Sequence, residues 1–316
     1  MCARAKQTTT RKPCQRANII TLLTHSSQFH TTKRKEKSPK DPQMKSSKSP
    51  KSTTKWCEDY VRNKLPQSLL PKSDLEIKEI GDGNMNYVYN VSNAIAVKTS
   101  PVRTLVDLDN NNNTNIQHTQ PFVKVVPTFS LSEKRIVFEG RYLQTLFSID
   151  DEAAIRPLHL DEKEGVLVTE FLPHALTLRS AMLDGKLNLN GTFKRIGEIC
   201  AKSYFHTSEF GASREEREKL IRRFQGNEAM RDLTADVIFT SPWLPFQSPT
   251  FPNNYHPLLS DIVKSLQSDE DNVQSMVSVL KHRFLTSNEC LLHGDLHTGS
   301  IFLAGDSRVR IFDSEF

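Results

Sequence analysis

Apolar positions along the chain change their spacing from strand-like to helix-like. The runs AIAVK at residues 94–98 and GVLVTEFLP at 165–173 are typical of short buried strands. Between them, residues 135–147 carry apolar side chains at intervals that suit one face of a helix, namely Ile136, Tyr142, Leu143, Leu146 and Phe147. This pattern predicts strands in the first half of the folded region, with one helix inserted among them.

The second half reads differently. Residues 176–189 and 193–205 look like amphipathic helices, and residues 214–223 like a charged, exposed helix. Near the end, a turn at residues 304–307 precedes a strand-like run at residues 309–312. The polar run at residues 109–115 cannot bury apolar area, so we expect a disordered loop there.

Candidate chemistry concentrates at the end of the chain. The run HGDLHTGSI at residues 293–301 contains Asp295, and IFDSEF at residues 311–316 contains Asp313 and Glu315. Phosphoryl transfer needs a carboxylate that orients an acceptor hydroxyl and oxygen ligands that hold Mg²⁺ over the phosphates. Asp295 suits the first role. In an extended segment, Asp313 and Glu315 point the same way and suit the second, with Ser314 facing away.

These three carboxylates also have an ordinary interpretation. Asp295 could cap a local turn, and Asp313 and Glu315 could be solvated ends of a surface hairpin. Apolar residues at 290–292 and 301–303 weaken that interpretation, because charged side chains between buried strands are costly unless they bind something. His293 and His297 flank Asp295, and we expect them to hold backbone by hydrogen bonds rather than bind metal.

The segment IGDGNMNYVY at residues 80–89 reads as a strand, a glycine turn and a returning strand. Glycines allow the backbone to approach phosphates closely, although an ordinary hairpin uses the same residues. Lys98 ends the following strand, where kinases place the lysine that contacts the α and β phosphates. The alternative for Lys98 is a surface lysine at a strand end.

Two further positions complete a nucleotide site. Glu139 on the predicted helix is the candidate partner of Lys98, with a solvated helix-surface glutamate as the alternative. Glu170, Phe171 and Leu172 stand where a kinase hinge holds adenine, or they form an ordinary strand end before Pro173.

Together these signals stand in kinase order, which predicts an α+β fold with two lobes, a small β-rich amino-terminal lobe and a mostly helical carboxy-terminal lobe. We expect a basic tail at residues 1–55, a lead-in helix at 56–73, a nucleotide-binding lobe at 74–172 and a catalytic lobe at 173–316.

Four stretches resemble the methylthioribose kinase family, relatives of choline kinases and aminoglycoside phosphotransferases with a protein-kinase-like fold. They are GDGNMNYVY at residues 81–89, HGDLHTGSI at 293–301, DSEF at 313–316 and a segment with no general kinase role at 226–242. Choline and aminoglycoside kinases read HGD-x-x-x-x-N, whereas this chain has Ser300 in the asparagine position, as methylthioribose kinases do.

The resemblance implies an ATP-dependent transfer of phosphate to the anomeric hydroxyl of 5-methylthioribose, a step of methionine salvage. It implies that Asp295 is the catalytic base and contacts the sugar, and that Asp313 and Glu315 hold Mg²⁺. It also implies a homodimer. The full expected set of ATP-contacting residues is Gly81, Gly83, Asn84, Asn86, Lys98, Glu139, Glu170, Phe171, Leu172, Asp313, Ser314 and Glu315.

The chain also departs from the family. The family continues past its DPEF motif through helices that contact substrate, and Ser314 replaces the proline of that motif. We therefore expect a truncated product whose carboxy-terminal lobe lacks its last helices and leaves apolar surface uncovered. The alternative functions are a catalytically dead protein that keeps nucleotide, or a kinase for another acceptor such as choline or an aminoglycoside.

The basic character belongs to the first part of the chain. Residues 1–55 carry a net charge of +12 against +5 for the whole chain, so the remainder is acidic. The first 35 residues lack acids and resemble an organelle transit peptide, with a solvated tail and a basic arm for anionic surfaces as alternatives. We expect a cytoplasmic protein, or a mitochondrial or plastid one, that binds no nucleic acid. No run of 18 apolar residues suggests a membrane span.

Overall fold

A five-stranded antiparallel sheet forms the first part of the computed structural model, in the order β1-β2-β3-β7-β6. The structure describes residues 54–69, 71–80, 87–94, 114–118, 122–123, 126–130, 132, 134–185, 189–243, 255, 257–304 and 308–314. The strands are β1 (Pro71–Ile80), β2 (Tyr87–Ala94), β3 (Thr114–His118), β4 (Phe122–Val123), β5 (Val126–Ser130), β6 (Pro157–Asp161), β7 (Val166–Glu170), β8 (Leu176–Thr177), β9 (Ile301–Ala304) and β10 (Arg308–Ile311).

The helices lie before, within and after this sheet along the chain. They are α1 (Thr54–Asn63), α2 (Arg135–Ile149), α3 (Leu178–Leu183), α4 (Leu189–Thr207), α5 (Arg214–Phe224), α6 (Glu228–Phe239), α7 (Ser260–Ser268) and α8 (Ser275–Thr286), with a π-helical turn at Glu270–Gln274. Within the described ranges, no helix combines the length and the apolar character that a bilayer span requires. The predicted α+β class, a strand-rich part followed by a helical part, is confirmed.

Helix α1 packs on one face of the large sheet. Its apolar residues recur at helical spacing, so Cys57, Tyr60 and Val61 are all buried against Tyr89 and Ile116. The Tyr60 hydroxyl donates to Asp161 Oδ2 at 3.1 Å, which ties the helix to the end of β6. A lead-in helix was expected over residues 56–73, whereas α1 covers Thr54–Asn63 and residues 71–73 already belong to β1.

Helix α2 lies between the sheet and the helical part. It is buried on most sides, and its residues Ile136, Leu143 and Leu146 join one apolar cluster with Leu167 of β7 and Ile199 of α4. Its first six residues, 135–140, are all buried, so neighbours cover every side of the first part of the helix. The predicted helix at residues 135–147 is therefore confirmed, and it connects the two parts of the fold.

A three-stranded sheet, β8-β9-β10, leads into the end of the chain. Strand β9 pairs antiparallel with β10, with Ile301 opposite Ile311. The backbone N–H of Ile311 donates to the Ala153 carbonyl at 2.9 Å, which anchors this hairpin to the loop after α2. Phe302 and Phe312 stack with ring centroids 4.0 Å apart. The predicted strand before Asp313 is confirmed as β10, whereas residues 305–307 of the predicted turn lie outside the described residues.

Two further predictions of helix and loop boundaries are wrong. Residues 176–189 form no single helix, because β8 and the short α3 come first and α4 begins at Leu189. Thr114 and Asn115 belong to β3 rather than to a loop, because β3 pairs with β2 on one side and with β7 on the other. The rest of the predicted loop lies outside the described residues. In the helical part, several large apolar side chains are exposed, among them Leu183, Phe210, Leu258 and Val279.

Candidate active site

Asp295 lies on the loop between α8 and β9, and its side chain is exposed. Its backbone N–H donates to His293 Nδ1 at 3.3 Å, and its carbonyl accepts from Ser300 Oγ at 3.1 Å. The loop is therefore fixed by bonds to its own backbone while the carboxylate remains available. The described hydrogen bonds of this loop involve the Asp295 backbone and not its carboxylate, so they give the turn-cap interpretation no support.

His293 connects the two candidate segments. It is 3 % exposed, its Nε2 lies 2.9 Å from the Phe312 carbonyl, and its ring meets Tyr142 edge-on. Because Nδ1 accepts from Asp295, Nε2 carries the proton and donates to Phe312. Burial lowers the pKa of His293 to about 4, even though the Phe312 bond and the Asp295 charge act in the opposite direction. The predicted backbone-holding role of this histidine is confirmed.

Ser300 closes the same loop. It is 1 % exposed, its Oγ accepts from the His297 N–H at 2.9 Å, and it lies 3.0 Å from the His297 carbonyl. Its own carbonyl accepts the Phe312 N–H at 3.1 Å. The Ser300 hydroxyl thus forms its hydrogen bonds within the loop. Ser300, which occupies the position of the asparagine in choline and aminoglycoside kinases, has a structural role here.

Asp313 follows β10 and adopts a left-handed backbone conformation, with φ of 66°. The extended geometry predicted for the segment is wrong at this residue, because its N–H turns to donate to Glu139 Oε1 at 3.2 Å. Aspartate tolerates this region better than most residues do. The carboxyl retains contact with solvent, yet desolvation by the surrounding protein and the charge of Asp295 raise its pKa. Glu315 lies outside the described residues.

Glu139 is 1 % exposed at the centre of α2. The alternative of a solvated surface glutamate is therefore wrong. Its contact with the Asp313 N–H joins the inserted helix to the segment that carries the candidate metal ligand. Lys98, the predicted partner of Glu139, lies outside the described residues, as do Gly81, Gly83, Asn84 and Asn86.

The end of β7 is anchored by two hydrogen bonds between Glu170 and Arg156. The Glu170 N–H donates to the Arg156 carbonyl at 3.0 Å, and Glu170 Oε1 accepts the Arg156 N–H at 2.9 Å. Phe171 and Leu172 follow as half-buried residues, and the Leu172 carbonyl lies 3.4 Å from the Ala175 N–H.

A cavity of about 570 Å³ adjoins the catalytic loop. Its wall includes Gly294, Ser314 and the start of the family-like segment, residues 226–228. Ser314 is 2 % exposed, and its Oγ has no hydrogen-bond partner within the described part of the chain. Ser314 is thus a buried lining residue of this cavity.

Sequence reasoning missed the contact between α3 and the catalytic loop. The Arg179 N–H donates to the Thr298 carbonyl at 2.9 Å, and the Arg179 guanidinium lies beside Gly299. No pattern in the sequence relates two residues so far apart along the chain. The nearest available signal was the amphipathic character of the region that begins at Leu176.

Comparison with known proteins identifies relatives. The chain is 34 % identical over 243 residues to "Methylthioribose kinase" of Geobacillus sp. (strain WCH70), a match that covers 77 % of this chain and 55 % of that protein. It is 30 % identical over 259 residues to "Methylthioribose kinase" of Yersinia pseudotuberculosis serotype O:1b (strain IP 31758), covering 82 % of this chain and 58 % of that protein. No model of a known protein family matches.

Among solved structures, choline kinase LicA from Streptococcus pneumoniae aligns with a TM-score of 0.37 and 14 % identity, over 77 % of this chain and 64 % of that chain. The matched region of this chain spans a little more than half the length of the curated sequence relatives. On this similarity, the chain is a homologue of the methylthioribose kinases.

Proposed function

We propose that the chain is an ATP-dependent small-molecule kinase that transfers the γ-phosphate of ATP to the anomeric hydroxyl of 5-methylthioribose, as a step of methionine salvage. One observation carries the proposal: in this relative of the methylthioribose kinases, the buried His293 bonds the Phe312 carbonyl at 2.9 Å and so holds the loop of Asp295 against the segment of Asp313. In agreement, desolvation and the charge of Asp295 both raise the pKa of Asp313. Two carboxylates that share a cleft suit one acceptor-orienting group and one metal ligand.

In this mechanism, Asp295 orients the sugar hydroxyl and accepts its proton as the bond to phosphorus forms. His293 and Ser300 hold the Asp295 backbone through the hydrogen bonds described above, so the carboxylate keeps its direction. The acceptor is thereby positioned before the reaction, which is the main contribution that a protein makes to phosphoryl transfer.

The residues fit a divalent cation. The raised pKa of Asp313 reflects a carboxylate that is desolvated and faces a second negative charge, and a cation relieves both penalties. Asp313 and Glu315 would hold Mg²⁺, and Mg²⁺ when bound would neutralise charge on the phosphates. Glu139 positions the Asp313 backbone by accepting its N–H.

For the nucleotide, we propose the backbone at Phe171 and Leu172 as the adenine contact, next to the anchored Glu170. Lys98, paired with Glu139, would contact the α and β phosphates. The remaining proposed contacts lie in the glycine-rich turn, at Gly81, Gly83, Asn84 and Asn86, and at the backbone of Ser314 beside the metal ligands, since the Ser314 hydroxyl is buried.

The test is turnover of purified full chain with ATP, Mg²⁺ and 5-methylthioribose, followed by ADP release and by phosphorus NMR of the product. The matched control is Asp295→Asn, which preserves size and removes the base. A phosphate signal at the anomeric position in the parent, absent in the control, supports the proposal. If neither protein turns over ATP with any acceptor but ATP binding depends on Mg²⁺, the chain is a nucleotide-binding protein without kinase activity.

Acceptor choice is tested with the same assay. Choline and an aminoglycoside replace 5-methylthioribose at equal concentration, and the ratio of kcat/KM values decides between them. Strong turnover of choline without turnover of 5-methylthioribose overturns the sugar assignment but leaves the kinase assignment in place.

We also propose a homodimer in the cytoplasm, with a mitochondrial or plastid location as the alternative that the acid-free first 35 residues support. The dimer rests on family resemblance alone. Light scattering of the purified chain measures its mass, and a fluorescent fusion with and without residues 1–55 measures its location.

A further inference from the structure

His297 uses its two ring nitrogens differently from His293. In both residues, Nδ1 accepts a backbone N–H two positions later, from Asp295 at 3.3 Å for His293 and from Gly299 at 2.8 Å for His297. The Nε2 of the buried His293 bonds the Phe312 carbonyl, whereas the Nε2 of His297 lies 3.7 Å from Asp295 Oδ2. That distance is too long for a hydrogen bond. The His297 Nε2–H therefore faces the catalytic carboxylate without being bound by it.

The position of the His297 ring depends on Gly299. A Cβ at residue 299 would lie 2.6 Å from His297 Cε1 and 2.9 Å from Nδ1, closer than real contacts allow. Glycine is thus needed at 299 because the imidazole packs directly against its backbone. With Nδ1 fixed as the acceptor, the neutral ring has one tautomer, which carries its proton on Nε2.

Positive charge lies next to this ring. The Arg179 guanidinium Nη2 is 3.7 Å from the Cβ position of Gly299, and its backbone N–H is bonded to Thr298. The His297 side chain is 42 % exposed and that of Asp295 52 %, so a ligand can reach both. The ring therefore lies beside the proposed base, at a place that a bound ligand can reach.

We propose that His297 is a further catalytic residue whose Nε2–H donates a hydrogen bond to a non-bridging oxygen of the phosphoryl group in transfer, with Arg179 adding positive charge nearby. This rests on the proposed kinase function. In the transfer, the acceptor oxygen forms a bond to the γ phosphorus and the bond from that phosphorus to the β,γ-bridging oxygen breaks. The electron pair stays on ADP, and the acceptor proton goes to Asp295. His297 loses no proton; it stabilises negative charge on the moving group.

The experiment measures nucleotide affinity rather than turnover, so it does not depend on the acceptor. Calorimetry with Mg²⁺ compares ADP with the non-hydrolysable analogue AMP-PNP, which carries a γ phosphate, for the parent chain, His297→Phe and His297→Gln. We expect His297→Phe to weaken AMP-PNP roughly tenfold and ADP less than about twofold, as the loss of one hydrogen bond to a charged group does. Glutamine can donate from a similar place and should retain most of the affinity.

Gly299→Ala is the second variant. It displaces the imidazole while leaving its chemistry intact, so we expect the same selective loss for AMP-PNP, even if His297→Phe fails to fold. Thermal unfolding of each variant controls for folding. Equal losses of affinity for ADP and AMP-PNP would mean that the His297 ring has only a structural role. Unchanged affinities would mean that His297 does not contact the γ phosphate. Either result overturns the proposal. If the KM for the acceptor rises while AMP-PNP affinity stays at the parent value, His297 contacts the acceptor rather than the phosphate. That result also overturns the proposal.

The two proposals fail separately. If the chain phosphorylates no acceptor, the selective AMP-PNP effect still reports the γ-phosphate contact. If 5-methylthioribose is phosphorylated at the parental rate by His297→Phe, the kinase function stands and the role of His297 does not.

Discussion

Glu139 Oε1 accepts the backbone N–H of Asp313 at 3.2 Å, across 174 residues of sequence. The glutamate is buried in the centre of α2, and the aspartate stands in the left-handed region just after β10. The contact therefore connects the helix inserted among the sheet strands to the segment with the candidate metal ligand. The Asp313 backbone thus depends on α2 for its hydrogen-bond acceptor.

Replacing Glu139 tests that connection. Glu139→Ala removes the acceptor and leaves the Asp313 N–H unsatisfied, which costs about 1–3 kcal/mol. We expect a lower free energy of unfolding in urea and weaker Mg²⁺-dependent ATP binding. Glu139→Gln keeps an amide oxygen at the same place and should lie closer to the parent in both measurements. Parent-like behaviour of the alanine variant would show that the bond positions nothing.

Replacing Asp295 tests the catalytic base. Asp295→Asn keeps the side-chain size, and the backbone bonds to His293 and Ser300 do not involve the carboxylate. We expect kcat to fall by roughly 10³–10⁴ while the Kd for ATP stays within about twofold, because the group acts on the acceptor and not on the nucleotide. Initial rates and calorimetry measure the two quantities. An unchanged kcat removes Asp295 from the mechanism.

Replacing Asp313 tests the metal site. Asparagine also tolerates positive φ, so Asp313→Asn removes charge without new backbone strain. We expect Mg²⁺-dependent ATP affinity to fall by roughly a hundredfold, while ATP affinity in EDTA changes little. The exposed Asp261 of α7 provides the control, since Asp261→Asn should alter neither value. If Mg²⁺ dependence survives intact in Asp313→Asn, the metal is held elsewhere.

Ser314 gives a contrasting prediction. Its Oγ is buried at the cavity wall without a partner in the described part of the chain, so Ser314→Ala removes no observed hydrogen bond. We expect unchanged Mg²⁺-ATP affinity and an unfolding free energy equal to the parent or slightly higher, measured by calorimetry and urea denaturation. A marked loss of ATP affinity would instead place this hydroxyl on the nucleotide.

The sequence predicted the local features of the site well. The spacing of apolar positions located α2 and therefore Glu139. Buried strands were expected on both sides of Asp295, but only Ile301–Ala304 form a strand, and Leu292 is 51 % exposed. The sequence also predicted that His293 holds backbone. These features depend on neighbours in sequence, where side-chain periodicity and turn residues carry the information.

The features that sequence did not predict depend on distant contacts. The left-handed turn at Asp313 follows from the bond to Glu139, and an extended segment was the natural expectation from alternation alone. Asn115 ends a polar run that looks unstructured, yet β3 lies between two strands that supply its hydrogen bonds. In both places, contacts with distant residues determine the backbone conformation, although the local sequence indicates a different one.

Asp150 gives the pH-dependent prediction. Its buried carboxylate pairs with Arg195 at 2.9 Å and Lys202 at 2.7 Å, both on α4. Burial by itself opposes the charge, but the hydrogen bonds from Arg195 and Lys202 outweigh it and lower the pKa of Asp150 from 3.8 to about 2. Because the folded pKa lies below the unfolded one, the stabilisation is fully present above about pH 4 and is lost as pH falls toward 2.

Asp150→Asn should therefore lower the free energy of unfolding by about 1–2 kcal/mol at pH 7, after allowance for the solvent contact of Lys202. The difference from the parent should shrink between pH 4 and pH 2, where the parent carboxylate also becomes protonated. Urea titrations across this range measure it. Glu218→Gln, which breaks exposed pairs on α5, is the control and should change stability by less than about 0.5 kcal/mol at any pH. A difference that stays constant down to pH 2 would mean that Asp150 stabilises the fold through its shape and not its charge.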